Sequence, residues 1–388
     1  MSLQDAPTDT FLYVDTPDAL RALCDRLAAQ PWIGVDTEFL REKTYYAQLC
    51  LIQVSTGDVG ACVDPLAVDI APLLEVLYRA DIVKVMHAAR QDLEILSQTR
   101  SAPPPNIFDT QLAATVLGYG DQIGYAGLVE AVLNVRLDKA HTRTDWSQRP
   151  LAEEQLQYAA DDVRYLGPLY ERLERELVRR GRRNWLDEEF AALSDPALYA
   201  WSEETAWQKV SGAQALRGRQ LALLNALTVW RERKAMTLDR PRRWVAADPV
   251  LIDIARRAPH DAAALARIRG VEGALLNDAP AVLAVLAEAA RLPRDDWPAA
   301  SARVRLAVHE EALVDALMAT VRTVAAREGI SAAALTSRRE LERLVQGDDD
   351  VAVLHGWRQA VCGTALQGVL KGELTLRVQA GRLQLLDA

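Results

Sequence analysis

Strand-like sequence in this chain ends before about Pro150, and that asymmetry narrows the fold more than any other feature. It predicts an α/β front part followed by a helical remainder. Trp32, Ile33 and Val35 open the first buried strand. "AQLCLIQVS" (Ala47–Ser55) alternates as a second, "GACVDP" gives a third, and "DIVKVMHAA" a fourth ending near His87. A helix over Pro17–Ala29 precedes them, and another starts at about Arg90. The first three strands read as an antiparallel meander. Later strands alternate with helices, so the sheet is expected to be mixed. Beyond Pro150, the apolar residues Leu156, Ala160, Val163, Leu166 and Leu173 fall at helical spacing, with Gly181 as the terminator. The rest, rich in Ala, Leu and Arg, reads as all-α and breaks at "RLPRDDWP" (Arg291–Pro298). A chain of 388 residues suits two or three such domains.

Several classes drop out on composition. No apolar run approaches the roughly 20 residues of a membrane span. The start "MSLQDAPTDT" lacks the regions of a signal peptide, so a cytoplasmic protein is expected. Cys24, Cys50, Cys62 and Cys362 have no paired spacing and suit reduced thiols. No phosphate-binding G-x₄-G-K-[ST] loop occurs, which argues against a helicase.

The first strand ends on an unusual pair, Asp36 and Glu38, two apart and therefore on one face. Two carboxylates beside a core are costly unless something positive lies between them. Asp92 opens the helix after the His87 strand, where it could simply complement the helix dipole. Tyr158 and Asp162 form an i, i+4 pair off the apolar stripe, whereas Asp161 points elsewhere and reads as a solvated neighbour. Each signal is weak singly. Together, the acids could remain ionised only around cations, and hard oxygen ligands suit Mg²⁺ or Mn²⁺. Two ions about 3.5–4 Å apart would make a phosphoryl-transfer site. The absence of His and Cys at these points argues against zinc.

In order and spacing, D-x-E, D, then Y-x₃-D resembles the DEDD exonucleases. The surrounding text, "VDTEFLREKTYYAQLCLIQVS", "HAARQDLEIL", "IFDTQLAA" and "LDKAHTRTDWSQRPLAEEQLQYAADDVRYL", is similar to the ribonuclease D family of the DEDDy branch. The likeness runs from about Phe11 to Leu177. In the second motif, His87, Arg90 and Gln91 stand where the superfamily often has an Asn and an aromatic residue. The resemblance implies a ribonuclease H-like fold, with Asp36, Glu38, Asp92 and Asp162 as ligands of two divalent ions. Asp36 would bridge the ions, and Glu38 could also accept from the 3′-terminal sugar hydroxyl. Tyr158 would orient a water made more acidic by one ion, while the other stabilises the leaving 3′-oxygen. A DEDDh enzyme would carry His where this chain has Gln157.

Lys139, Asp145, Trp146, Arg149 and Pro150 match the family's "K…DW..RP" stretch. Lys139, Trp146 and Arg149 either contact RNA, or Trp146 and Pro150 anchor the loop while Asp145 and Arg149 pair. Asp109 reads as a helix N-cap, and His87 and His141 as structural. Tyr45 and Tyr46 either stack on a strand end or pack the loop.

"LLNALTVWRERKAMTLDRPRRWVAADPVLIDIARRAP" resembles the HRDC module, and "HGWRQAVCGTALQGVLKGE" the end of a second, divergent copy. The implied organisation is an exonuclease domain over 1–195 and HRDC bundles over 207–290 and 298–388. Trp230 and Trp244 read as packing residues. Net charge is −9, yet from Lys209 to Arg243 nine Lys or Arg face only Glu232 and Asp239. Arg217, Arg219, Arg242 and Arg243 are therefore candidate RNA contacts, with a solvated helix face as the alternative. The expected activity is 3′→5′ exoribonucleolytic release of 5′-mononucleotides, with transfer RNA precursors as the implied substrates and no obligate protein partner. The alternatives are a Werner-type DNA exonuclease and a catalytically inactive RNA-binding scaffold.

Overall fold

The structure, a computed structural model, describes residues 11–137, 144–298 and 306–388. Its contacts divide the chain into two units: residues 1–38, 49–196 and 304–388, and residues 39–48 with 197–303. Among the described residues no helix is long and apolar enough to cross a membrane.

In the first unit the elements run β1 (Phe11–Val14), α1 (Pro17–Leu27), β2 (Trp32–Leu40), β3 (Gln48–Ser55), β4 (Gly60–Val63), α2 (Ala71–Leu77), β5 (Val83–Met86) and α3 (Arg90–Arg100). There follow β6 (Ile107–Asp109), α4 (Thr110–Leu117), α5 (Tyr125–Leu133), α6 (Glu153–Arg164), α7 (Leu166–Arg179) and α8 (Asp187–Leu193). The sheet order is β1-β4-β3-β2-β5-β6. Pairs β1/β4, β2/β5 and β5/β6 are parallel and β3/β4 is antiparallel, so the sheet is mixed as expected. β1 and β6 are strands the sequence reading did not include.

The helix expected as one piece after Pro150 is two. Pro168 lies in the first turn of α7, and a proline ring there clashes with the carbonyl four residues back, so α6 ends at Arg164. Close packing then seats both helices on β2. A Cβ on Gly34 would come 2.5 Å from Ser55 Oγ and 3.2 Å from Leu166, and one on Gly167 2.1 Å from the Trp32 ring. Ser55 Oγ donates to the Val163 carbonyl of α6 at 2.7 Å. The helix of Tyr158 and Asp162 is thereby fixed against the strand of Asp36.

The second unit is a helical bundle of α9 (Arg219–Leu238), α10 (Arg242–Val245), α11 (Asp248–Arg257), α12 (Ala262–Ala266), α13 (Ala274–Asn277) and α14 (Ala279–Ala289). Its core includes Leu221, Leu224, Leu227, Leu251, Ile254 and Val282. Residues 304–388 belong by their contacts to the first unit. They form α15 (Val308–Glu328), α16 (Ala332–Leu335), α17 (Arg338–Val345), α18 (Gly356–Arg358) and α19 (Thr364–Lys371) around Leu317, Val321, Leu341 and Leu366. The expectation of an all-α remainder is corrected at its end. β7 (Leu374–Gln379) and β8 (Arg382–Asp387) make an antiparallel hairpin. Ala380 and Gly381 both have positive φ, the geometry of a two-residue hairpin turn.

Candidate active site

The carboxylates singled out in the sequence converge. Asp36 and Glu38 project from the same face of β2, and Asp162 meets them from α6. Oxygens of these three lie within 4.8 Å of one another. Asp92 falls outside that set. It sits in the first turn of α3, buried, and accepts a hydrogen bond from Thr37 Oγ1 at 2.5 Å. Thr37, between the two acids on β2, is a residue the sequence reading passed over. Its only sequence signal is its place in D-T-E, since strand alternation sends it to the opposite side.

Crowding and burial make this cluster hold protons far above the ordinary carboxylate range. Burial, then the charges of Asp92, Asp162 and Glu38, push the Asp36 carboxyl well up. Glu38 is raised to about 8 by burial and by Asp162 and Asp92. Asp162 is raised to about 7 by burial, with the Tyr158 hydrogen bond pulling the other way. Asp92 is raised to about 6 by burial, offset in part by the Thr37 hydroxyl. A divalent cation would offset both the burial of these charges and their mutual repulsion, and an all-oxygen donor set is what Mg²⁺ and Mn²⁺ prefer. The residues present therefore fit a hard divalent metal.

Tyr158 is hydrogen-bonded to Asp162 one turn along α6. Burial and the charges of Asp162, Glu38 and Asp36 raise its hydroxyl well above the usual tyrosine value, so it stays protonated and donates. Asp161 takes hydrogen bonds from Gln157 Nε2 (3.0 Å) and Arg164 Nε (2.7 Å), as befits a neighbour outside the cluster.

The flanking residues divide. Trp146 is buried, its ring centroid 6.2 Å from that of Tyr158. Arg149 does not pair with Asp145. Its Nε and Nη2 fork onto Asp64 at 2.5 and 2.7 Å, and Nη2 also reaches the Cys50 carbonyl at 2.7 Å. Asp145 instead caps Ser147, through its amide (3.0 Å) and hydroxyl (2.7 Å). Arg149 thus ties the loop before α6 to the sheet. Lys139 and His141 lie outside the described residues. Asp109 is an N-cap, accepting from the amides of Gln111 and Leu112. His87 is held between Thr110 Oγ1 (2.9 Å) and the Ile123 carbonyl (3.0 Å), a structural placement.

In the second unit, Tyr45 packs with the bundle core. Its hydroxyl donates to Glu232 at 3.0 Å, and the amides of Tyr45 and Tyr46 donate to Asp239 (3.0 and 3.2 Å). The loop-packing reading holds for Tyr45. The basic run is largely committed. Arg231 is buried against Asp248 (2.6 Å), Arg233 pairs with Glu203, and Lys234 with Asp278 (2.9 Å). Arg242 is 3.6 Å from Glu232, and Arg217 donates to the carbonyls of Gln214 and Leu216. Arg219, Arg243, Lys209 and Arg240 are exposed. Trp230 is buried as expected, but Trp244 is 53% exposed and packs no core.

Residues 11–178 match the 3′-5′ exonuclease family, and residues 220–279 the HRDC domain. The chain is 39% identical to ribonuclease D of Acidiphilium cryptum (strain JF-5), over 98% of its own length and 99% of the relative's. Among solved structures it is similar to Escherichia coli RNase D, described as an exoribonuclease involved in structured RNA processing. The TM-score is 0.81 at 33% identity, covering 93% of this chain and 99% of that one. The catalytic core of RRP6 from Trypanosoma brucei is also similar, with TM-score 0.56 and 26% identity over 74% of this chain and 81% of that one.

Proposed function

Since the chain belongs to the ribonuclease D family and is a 3′→5′ exoribonuclease, we propose that Asp36, Glu38, Asp92, Asp162 and Tyr158 are its catalytic residues. The observation that supports this most directly is the trio of carboxylates within 4.8 Å on β2 and α6. Asp36, Glu38 and Asp162 would hold divalent ions, Mg²⁺ or Mn²⁺, with Asp92 completing the set from α3. Bound there, the ions would acidify the attacking water and offset charge on the leaving 3′-oxygen.

The chain's own groups do the positioning. Tyr158, protonated and anchored on Asp162, presents its hydroxyl to orient the water rather than to remove its proton. Trp146 backs the Tyr158 ring and limits its rotation. Thr37 holds Asp92 against β2. The product is then a 5′-mononucleotide, released stepwise from the 3′ end.

Transfer RNA precursors are the proposed substrates, which the family resemblance supports. The proposed organisation is an exonuclease domain over 1–195, an HRDC bundle over 207–290 and a second, divergent HRDC bundle over 298–388. The second of these bundles is supported by the compact helical core around Leu317 and Leu366. Exposed Arg219 and Arg243 are the candidate phosphate contacts of the basic run.

Digestion of 3′-labelled RNA and DNA of one sequence, with Mg²⁺ or Mn²⁺ and with chelator, tests the reading. RNA should yield mononucleotides, chelator should stop the reaction, and Asp36→Ala or Asp162→Ala should abolish turnover in a chain that still folds. Equal or faster digestion of DNA would overturn the RNA preference.

A further inference from the structure

The β2–β3 hairpin carries a side chain that nothing around it satisfies. Gln53 is fully buried, and among the described residues neither its Nε2 nor its Oε1 has a hydrogen-bond partner. Buried polar groups are otherwise paired almost without exception, so an enclosed and unpaired primary amide calls for a cause.

Its neighbours fix where it stands. Residues 41–47 between β2 and β3 are too few for the crossover a parallel pair needs, so these adjacent strands are antiparallel. A Cβ on Gly34 would lie 2.5 Å from Ser55 Oγ, which places those two residues side by side on one face. Two steps forward on β2 then correspond to two steps back on β3, and the next pair in the row is Asp36 beside Gln53. The roof over this row is α6, joined to Ser55 through the Val163 carbonyl and carrying Tyr158 and Asp162. On its other flank Gln53 pairs with Cys62 of β4, a buried thiol and a poor partner for an amide. The strong acceptor that the register puts next in its row is the Asp36 carboxylate, to which Gln53 makes no hydrogen bond in this structure.

We propose that Gln53 is a positioning residue of the metal site: its Nε2, unpaired in this structure, donates to the Asp36 carboxylate when the cations are held and fixes the oxygen that Asp36 would turn toward them. The inference rests on Asp36 being a metal ligand, as put forward above. A ligating carboxylate has lone pairs left over, and outer partners that bind them orient the ligand. Losing such a partner typically costs about 10–100-fold in metal affinity or activity. Glutamine suits the task because its donor is neutral. A glutamate there would add to the repulsion among the acids, and a lysine would compete with the cation.

The test is Mn²⁺ binding to the full chain by titration calorimetry, with thermal melting in chelator measured on the same samples. Gln53→Leu should bind Mn²⁺ about 10–100-fold more weakly. It should melt in chelator no lower than the wild type, because two enclosed polar atoms are gone. Gln53→Met, unbranched like glutamine, replaces it if Gln53→Leu does not fold. A packing role predicts the reverse pattern, a lower melting point with unchanged Mn²⁺ affinity, and that result would overturn the proposal. Asp36→Asn separates the two levels. If it too leaves Mn²⁺ binding unchanged, the metal-site reading itself fails; if it weakens binding and Gln53→Leu does not, only the role of Gln53 falls.

Discussion

Tyr158 and Asp64 show how differently single residues are exposed to a sequence reading. Tyr158 was legible because an i, i+4 pair with an acid, set off the apolar stripe, has few structural uses. Its hydroxyl stays protonated behind Asp162, so Tyr158→Phe should lower kcat on the order of 10²-fold, the cost of a misoriented water, and leave KM for RNA nearly unchanged. Single-turnover digestion separates the two, and an equal rise in KM would instead assign Tyr158 to RNA binding. Asp64 gave no signal. It takes Arg149 from the loop before α6 and Tyr13 from β1, contacts that only the folded sheet creates. Burial alone would raise its carboxyl, but the Arg149 and Tyr13 hydrogen bonds and the Leu66 amide hold it below the usual value. A carboxyl depressed on folding stabilises the protein above its unfolded pKa, near 4, and loses that contribution as pH falls through the folded value. The wild type should therefore lose stability more steeply than Asp64→Asn below about pH 4. At neutral pH, Asp64→Asn should cost about 3 kcal/mol by leaving Arg149 without its ion partner. Acid titration followed by circular dichroism checks both. Thr37 and Gln53 escaped for the same reason as Asp64: their meaning lies in what stands across a strand or helix.

At the scale of elements, period and punctuation located what they encode and nothing else. β2, β3 and β5 were legible because their β-branched and apolar runs are buried on both faces. β1 and β6 were not, since four residues and three are too short to display a period. The break between α6 and α7 was legible only in Pro168, which the apolar stripe running through Leu166 overrode. Asp109 is the element-scale case with an energetic consequence. Besides capping α4, its two oxygens accept from the amides of Ala88 and Ala89 (3.1 and 2.9 Å), where the chain enters α3 at an Ala88 of positive φ. One carboxylate thus ends β6, starts α4 and seats the helix of Asp92. Asp109→Ala should destabilise the first unit by about 2 kcal/mol, at the top of the range for a lost cap. Asp109→Asn, which keeps one acceptor, should recover about half of that. Urea unfolding of the three proteins measures it, and a loss below about 0.5 kcal/mol would mean that the loop amides find other partners.

For the whole molecule, a local count of charge could not show which cations the fold pairs with acids. Nine cations against two acids suggested a basic face, but the partners of Arg231, Arg233 and Lys234 are Asp248, Glu203 and Asp278, outside the counted window. Local charge counts fail wherever a bundle brings distant helices together. The sequence broke the helical remainder at Arg291–Pro298, whereas the contacts divide it between 303 and 304, and the sequence did not say which body the last segment joins. Residues 304–388 share a unit with the exonuclease sheet. The indoles of Trp185 and Trp357 stack at 4.4 Å and 3°, with Arg182 over one ring and Arg358 over the other. Arg358 Nη1 also reaches Glu189 of α8 at 2.6 Å, and Arg182 Nη2 the Glu328 carbonyl of α15 at 2.6 Å. A stacked aromatic pair with this support adds to its area burial, so Trp357→Ala should cost about 2 kcal/mol. In a unit of this size that lowers the melting point by about 5 °C. Trp244→Ala, at an exposed site, should shift melting by about 1 °C or less. Calorimetry then distinguishes two kinds of molecule. A lowered transition that also carries the loss of exonuclease activity on heating means that the last bundle and the sheet unfold together. An unchanged activity-linked transition would mean that the bundle unfolds by itself and that the indole stack contributes nothing to the catalytic body.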